Sequence, residues 1–401
     1  MARPKIAAVV TEYRQNAHAQ HIVDRFLWGY KWQGRHHHPP MDLVSIYVDQ
    51  FGDKGDGDMS RDRAKRFPTM KIYPTIADAL TLGGEKLAVD GVVLIGEHGR
   101  YPRNEKGQTL WPRYEFFMQI VEVFRRSGRT APVFSDKHLS WKWEWAKEMV
   151  DISKELDFPF IAGSSLPLNR RMPPVEISRD AEVEEIVGLA PGGVDGYDIH
   201  CLEGMQCMVE RRKGGETGVV SMHALRHGAV FKAMATGSWE AGGWDPELFE
   251  ACLCRSHTLM PAREGFNHIL PRPEDIPPLL KETPVAYRYE YADGTRATML
   301  LLEGLIHDFT FAARLKGQRD PLSLRLFTDG RNPRNFFNPQ VNAIEQMILS
   351  GKPTFPIERT LLTTGLTAAG VESLWLGQKR IETPHLAIRY QPTEESTFWR
   401  S

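Results

Sequence analysis

Residues Val89-Asp90-Gly91-Val92-Val93-Leu94-Ile95 form an apolar run with no polar alternation. Such a strand is covered on both faces, as in a parallel sheet flanked by helices. Further strands are expected at Lys5–Val10, Leu43–Val48, Ile72–Tyr73, Pro132–Phe134 and Pro159–Ala162. Helical spacing of apolar residues falls between them, at Ala17–Trp28, Ser60–Arg66, Ile76–Leu80, Arg113–Ser127 and Trp141–Leu156. Asn16 is positioned as an N-cap of the first helix. Strand and helix units of this length predict a doubly wound, Rossmann-like parallel sheet over residues 1–165. Ligands bind such sheets at the carboxyl ends of the strands.

From Leu166 the pattern changes. Val183–Gly188, Gly218–Leu225, Val285–Tyr291, Thr295–Leu302 and Asp308–Leu315 read as strands, with a hairpin signal at Asp293-Gly294. Helices are expected at Gly204–Arg212, at Asn338–Ser350 ended by Gly351, and at Arg359–Gly377, with a final strand at His385–Tyr390. Residues 166–401 are thus expected to form a second α/β domain with an open, mainly antiparallel sheet.

Acidic and basic residues nearly cancel, 51 against 50. That balance gives no reason to expect nucleic acid or an anionic membrane as partner; a small neutral or weakly charged ligand fits better. No apolar run approaches a membrane span and no signal-like stretch precedes the first strand, so a cytoplasmic protein is expected. Cys201, Cys207, Cys252 and Cys254 lack the Cys-x-x-Cys spacing of zinc or redox pairs and are expected to be reduced and mostly buried.

Local motifs carry a resemblance. Tyr73-Pro74-Thr75-Ile76-Ala77-Asp78-Ala79-Leu80 followed by Val89–Ile95 is similar to the third-strand helix and fourth strand of the Gfo/Idh/MocA family, named for glucose-fructose oxidoreductase, inositol dehydrogenase and a rhizopine-catabolism protein. Ser135-Asp136-Lys137-His138-Leu139 stands where that family has Glu-Lys-Pro-Leu or Glu-Lys-Pro-Ala. Ile344–Gly377 resembles its closing helix pair. The resemblance spans nearly the whole chain, with no single motif intact.

It implies a pyridine nucleotide, NAD or NADP, at the first turn, where the family's glycines fall on Thr11, Tyr13 and Asn16. Glycine there lets backbone approach a pyrophosphate. Bulk at Tyr13 and Arg14 is expected to obstruct that approach, although Arg14 can itself pair with a phosphate. Asp49, ending the second strand, matches the acid that hydrogen-bonds a ribose. Asp136 precedes the lysine, and the fourth-strand exit is Gly96-Glu97-His98-Gly99-Arg100-Tyr101-Pro102. There Glu97 and His98 are suited to acid–base work or metal ligation.

By the resemblance, Lys137 lies between cofactor and substrate and hydrogen-bonds the substrate hydroxyl or relays its proton. His138 replaces the family's proline, which helps hold an unusual backbone conformation. Gly192–Glu203 resembles the family's Gly-Gly … Asp-x-Gly-x-His-x-x-Asp segment. His200 and Glu203 match its histidine and final acid, while the aspartate position is Gly196 and Asp198 stands two residues later. His200 and Glu203, three apart, share a helical face and are also suited to a divalent metal.

Other features are read more plainly. His36-His37-His38 is expected to face solvent. Trp141, Trp143 and Trp145 spread over different helix faces and are expected to pack at a domain interface. Trp239, Trp244 and His257 fall in a Gly-rich insertion suited to a substrate lid or a subunit contact.

Two function classes follow. One is an NAD(P)-linked oxidoreductase acting on a sugar, cyclitol or related polyhydroxy compound. The other is a non-redox, metal-assisted lyase, hydratase or epimerase of keto-sugars in which His98, His200 and Glu203 hold the metal or act as acid and base. A binding or regulatory protein that kept only the fold is a third, weaker reading. By the same resemblance the chain is expected to form a dimer or tetramer through the second-domain sheets.

Overall fold

The computed structural model describes residues 3–52, 57–261, 265, 269–328, 330 and 334–400. They divide into two compact units, one of residues 3–165 and 334–361, the other of residues 166–328 and 362–400.

The first unit is built on six parallel strands: β1 (Lys5–Glu12), β2 (Asp42–Gln50), β3 (Lys71–Tyr73), β4 (Gly91–Ile95), β5 (Val133–Asp136) and β6 (Phe160–Gly163). Their spatial order is β3-β2-β1-β4-β5-β6, that of a doubly wound dinucleotide fold. Ile6 to Val10 are all at most 1% exposed. Both faces of β1 are therefore covered, with α1 (His18–Trp28) and α3 (Ile76–Thr81) packed on it; α2 (Ser60–Arg66) lies on β3, α4 (Arg113–Ser127) on β4, and α5 (Trp143–Glu155) against α4. The strand order reverses between β1 and β4, which opens the crevice where such sheets bind ligands.

Three local readings change in this unit. Asn16 does not cap α1; its backbone is left-handed (φ 64°), its N–H donates to Gln20, and Ala17 takes the cap position without a side-chain bond. The His36–His38 run is partly strand, since Arg35–His37 pairs antiparallel with Tyr30–Trp32. His37 is half-buried on Glu345 at 2.8 Å, while His36 and His38 are exposed. Trp145 stacks on Tyr114 of α4 within the unit, with ring centroids 4.6 Å apart.

The second unit holds eight strands: β7 (Arg171–Met172), β8 (Val183–Ala190), β9 (Val219–Arg226), β10 (Val285–Tyr291), β11 (Arg296–Leu301), β12 (Phe309–Leu315), β13 (Leu322–Leu326) and β14 (Ile381–Glu382). The order is β14-β9-β10-β11-β8-β12-β13-β7, and only β8 and β11 pair in parallel. On one face lies α6 (Asp198–Val209), where a Cβ on Gly188 would stand 2.5 Å from Met205. The opposite face carries Val187, Leu189, Ala286 and Ala312, packed against α7 (Gly228–Thr236) and α8 (Pro246–Arg255). Alternating side chains of one strand thus meet helices on both sides.

Of the three residues in the insertion read as suited to a lid or a subunit contact, Trp244 belongs to this core, Trp239 is half-buried and His257 is exposed. Trp244 is 2% exposed within that cluster, and the Arg288 guanidinium lies 4.1 Å over Trp239. Helix α6 starts six residues earlier than expected because Asp198 accepts from the Asp195 and Ile199 amides. Gly204 sits inside it, where Leu326 fills the space a Cβ would need. Residues His385–Tyr390 are not a strand: Pro384, which has no N–H for a ladder, opens a 3₁₀ turn over Pro384–Leu386, and Tyr390 forms a single isolated bridge with Glu216. The last helices are α9 (Asn338–Ser350), in the first unit, and α10 (Ile357–Trp375). Among the described residues no helix is long and apolar enough to cross a membrane. None of the four cysteines is in a disulfide; Cys254 is exposed and the other three are buried.

Candidate functional site

The carboxyl ends of β1, β4 and β5 bring together most of the ionisable residues singled out in the first unit. Lys137 follows β5 with φ 62°, a left-handed conformation that a long side chain rarely adopts. Its backbone N–H donates to the Gly163 carbonyl at 3.1 Å and its Nζ to Glu97 Oε1 at 2.7 Å. These two bonds hold the backbone without the family's proline. Strain of this kind costs about 1–3 kcal/mol and collects at functional sites.

Glu97 is clamped from the other side by Arg113, whose Nη2 donates to Oε2 at 2.6 Å. Arg113 is fully buried, and its Nη1 lies 3.0 Å from His138 Nε2. Gly96 makes room for this clamp, since a Cβ there would meet Arg113 Cγ at 2.6 Å. Burial pulls the Glu97 carboxyl upward, but the charges of Lys137 and Arg113 prevail and hold it well below the usual carboxylate range. The His138 ring, wholly buried and beside Arg113, is pushed well below an ordinary imidazole. His98 (φ 72°) is lowered to about 4, first by burial and then by the nearby His18.

His18 and Arg113 were not singled out in the sequence. His18 opens α1 and places Nδ1 2.6 Å from Asp136 Oδ2, with its ring 5.4 Å from that of His98. Its only sequence signal is a position two residues beyond the first turn. Arg113 opens α4, and nothing in the sequence around it marks it as a buried cation.

The first turn itself is compact. Thr11 is fully buried and donates to the Glu97 carbonyl at 2.8 Å, tying β1 to β4 across the switch point. Tyr13 is 1% exposed; its hydroxyl donates to Asp24, which Arg63 grips with two bonds. Its bulk is thus turned into the protein and does not obstruct the strand ends. Asn16 supplies the positive φ that glycine usually provides, as asparagine can. Beside the turn lies a cavity of about 590 Å³ lined by Glu12, Arg14, Gln50, Phe51, Gly99 and Arg100. Arg14 pairs with Glu12, and the Gln50 side chain bonds both backbone groups of Arg100. Asp49 is exposed at the end of β2 and accepts from Tyr47 at 2.9 Å and Tyr101 at 2.7 Å.

This cavity fits the phosphate and ribose parts of a dinucleotide. Two guanidinium groups line it for phosphate oxygens, Arg100 and the Glu12-paired Arg14; Phe51 offers an apolar wall, and Asp49 stands nearby at the end of β2.

In the second unit, Asp198, His200 and Glu203 all lie on the first turns of α6. Asp198 is fully buried and receives the Tyr287 hydroxyl at 3.2 Å in addition to its two amides. Glu203 is 1% exposed and accepts from Thr363 at 3.2 Å. His200 is half-buried between the rings of Tyr197 and Phe309. Among the described residues no three His, Cys, Asp or Glu side chains converge as a metal-binding group.

No family model and no curated protein matches the chain. Solved structures do. It is similar to GenD2 from gentamicin A biosynthesis in complex with NAD, at 13% identity and TM-score 0.56, over 95% of this chain and 97% of that one. It is similar to myo-inositol dehydrogenase from Lactobacillus casei in complex with NAD(H) and myo-inositol, at 11% identity and TM-score 0.57, over 99% and 100%. A probable dehydrogenase from Thermotoga maritima is similar at 12% identity and TM-score 0.54, over 95% and 99%. At these identities the likeness is one of fold: a Rossmann-like parallel domain joined to a mainly antiparallel α/β domain.

Proposed function

We propose that this protein is an NAD(P)-linked oxidoreductase that acts on a sugar, cyclitol or related polyhydroxy compound. The observation that carries the reading is Lys137, held left-handed at the end of β5 with Nζ 2.7 Å from a buried, ionised Glu97. A cavity at the carboxyl ends of β1 and β2 and the loop after β4, and the folds of GenD2 and the inositol dehydrogenase, support it.

Arg14 and Arg100 would hold the phosphates, and Asp49 the ribose nearest β2. A bound oxidised nicotinamide would supply the acceptor for the hydrogen and electron pair of a carbinol C–H bond. Lys137 directs its ammonium toward the substrate oxygen and stabilises the charge that builds there as the hydroxyl proton departs. Glu97 and Arg113 fix that ammonium in place, so little reorganisation is needed during the reaction. The family resemblance assigns His200 to the same chemistry, which His200→Ala tests.

The test is direct. Purified protein is mixed separately with NAD, NADP and divalent metals, and its thermal stability is followed. A dinucleotide at about 100 times its Kd stabilises by about 2.7 kcal/mol. Lys137→Met is expected to lower kcat by about 10²- to 10⁴-fold with dinucleotide affinity preserved. No response to either dinucleotide, together with stoichiometric metal, would overturn the proposal.

A further inference from the structure

The clamp on Lys137 leaves open where the substrate proton goes. Lys137 donates to Glu97, and both oxygens of Glu97 are engaged, one by Lys137 and the other by Arg113. His138 is 1% exposed behind Arg113. His98 is held near 4 by burial and its neighbours, too weak a base for neutral pH. Asp136 is 1% exposed and turned onto His18.

His18 differs from all of these. Its side chain is 16% exposed, against 8% for Lys137 and 10% for Glu97, so of the three it has the best route for a proton to water. A carboxylate accepts at 2.6 Å from Nδ1, which fixes the proton on that nitrogen and makes Nε2 the basic one. An acid that orients an imidazole and stabilises its cation is the arrangement used in nucleophilic triads.

We infer that His18, in place of the His200 that the resemblance would use, is the acid–base residue of this site and that Asp136 is its positioning residue; loss of the acidic limb in His200→Ala but not in His18→Gln would return the role to His200. The inference rests on the oxidoreductase reading. In the oxidation the substrate O–H bond breaks and its proton goes to His18 Nε2. The electrons of that bond form the carbonyl π bond. An oxidised nicotinamide, when bound, would take the hydrogen and both electrons of the carbinol C–H bond. The imidazolium so formed is compensated by Asp136 and later yields its proton to solvent.

The charged and titratable groups near it come from several elements: Glu97 and His98 follow β4, and Asp136 ends β5. His21 on the same helix is lowered to about 3, by burial first, then Arg334 and His18. Phe337 packs edge-on at 5.1 Å.

The experiment uses the full chain with NAD or NADP and a polyol panel that begins with myo-inositol. His18→Gln is expected to lower kcat by about 10²- to 10⁴-fold. It also abolishes the acidic limb of the kcat/KM pH profile and leaves dinucleotide affinity within about threefold. Added imidazole restores turnover to His18→Ala. Asp136→Asn, whose amide donates to the ring instead of accepting, disables the base in the same way. Retention of the acidic limb in His18→Gln, or its loss in His98→Gln alone, overturns the inference. Imidazole ¹⁵N shifts test the dyad without substrate: an Nδ1–H tautomer supports it and an Nε2–H tautomer at His18 overturns it. Failure to bind either dinucleotide would instead remove the oxidoreductase reading, so the two failures are distinct.

Discussion

Arg113→Met removes the cation behind Glu97 while keeping an unbranched apolar stem in its place. The wild-type guanidinium is fully buried, bonds Glu97 at 2.6 Å and His138 at 3.0 Å, and lies 5.8 Å from the Trp111 ring. A hydrogen bond to a charged group contributes about 1.5–3 kcal/mol, and breaking a buried ion pair costs about 3–5 kcal/mol. Lys137 remains to neutralise Glu97, so the lower part of that range applies, about 3 kcal/mol. For a unit of this size that lowers the unfolding temperature by about 6–12 °C. Because the chain has two units, native-state hydrogen exchange of the β4 and β5 amides is the suitable assay. Arg113→Met/Glu97→Gln should cost less than the sum of the two single variants, since each alone already breaks the Arg113–Glu97 pair, although Lys137 then faces an amide in place of a carboxylate. Unchanged protection in Arg113→Met, or a double variant as unstable as the sum of the single ones, would refute the clamp.

Gly96→Ala should reproduce the Arg113→Met phenotype, because its Cβ would stand 2.6 Å from Arg113 Cγ; urea unfolding checks this. Stability should fall as the pH drops below about 6.5, where unfolded histidines gain protons that the folded protein refuses. That loss continues to about 4 for His98 and about 3 for His21; His138, pushed down by burial and Arg113, adds to it in the same direction, and Glu97, held down by Lys137 and Arg113, adds a separate loss that begins only in the usual carboxylate range. A urea midpoint independent of pH between 6.5 and 4 would contradict these assignments. Trp244→Ala should cost about 3–5 kcal/mol by opening a cavity between α8 and the sheet, whereas a mobile lid residue would cost under about 0.5 kcal/mol.

Local patterning made much of the fold legible. Val285–Tyr291, Arg113–Ser127 and Asn338–Ser350 stand where their spacing places them, and most other elements differ by one to three residues. The failures share a cause in tertiary context. Gly204 reads as a helix start but is an interior residue chosen for Leu326, and Asp198, the actual start, has no capping signature at the usual spacing. The segment around Trp239 and Trp244 is rich in glycine, yet it joins two helices whose apolar faces find a partner only once the sheet exists.

At the site, Glu97 and His98 stood out as polar residues at a strand end, and Lys137 through the motif that carries the resemblance. Arg113 and His18 did not, since their roles depend on which strand end their helix meets. The Tyr13 side chain misled through bulk alone; sequence does not reveal that Asp24 and Arg63 draw it inward.

Titration calorimetry of the purified chain with NAD, NADP and their reduced forms tests the proposed chemistry most directly. Saturable binding of one dinucleotide per chain, weakened by Arg14→Ala and Arg100→Ala and preserved in Lys137→Met, is the expected result. No heat with any of the four up to millimolar concentration would contradict it.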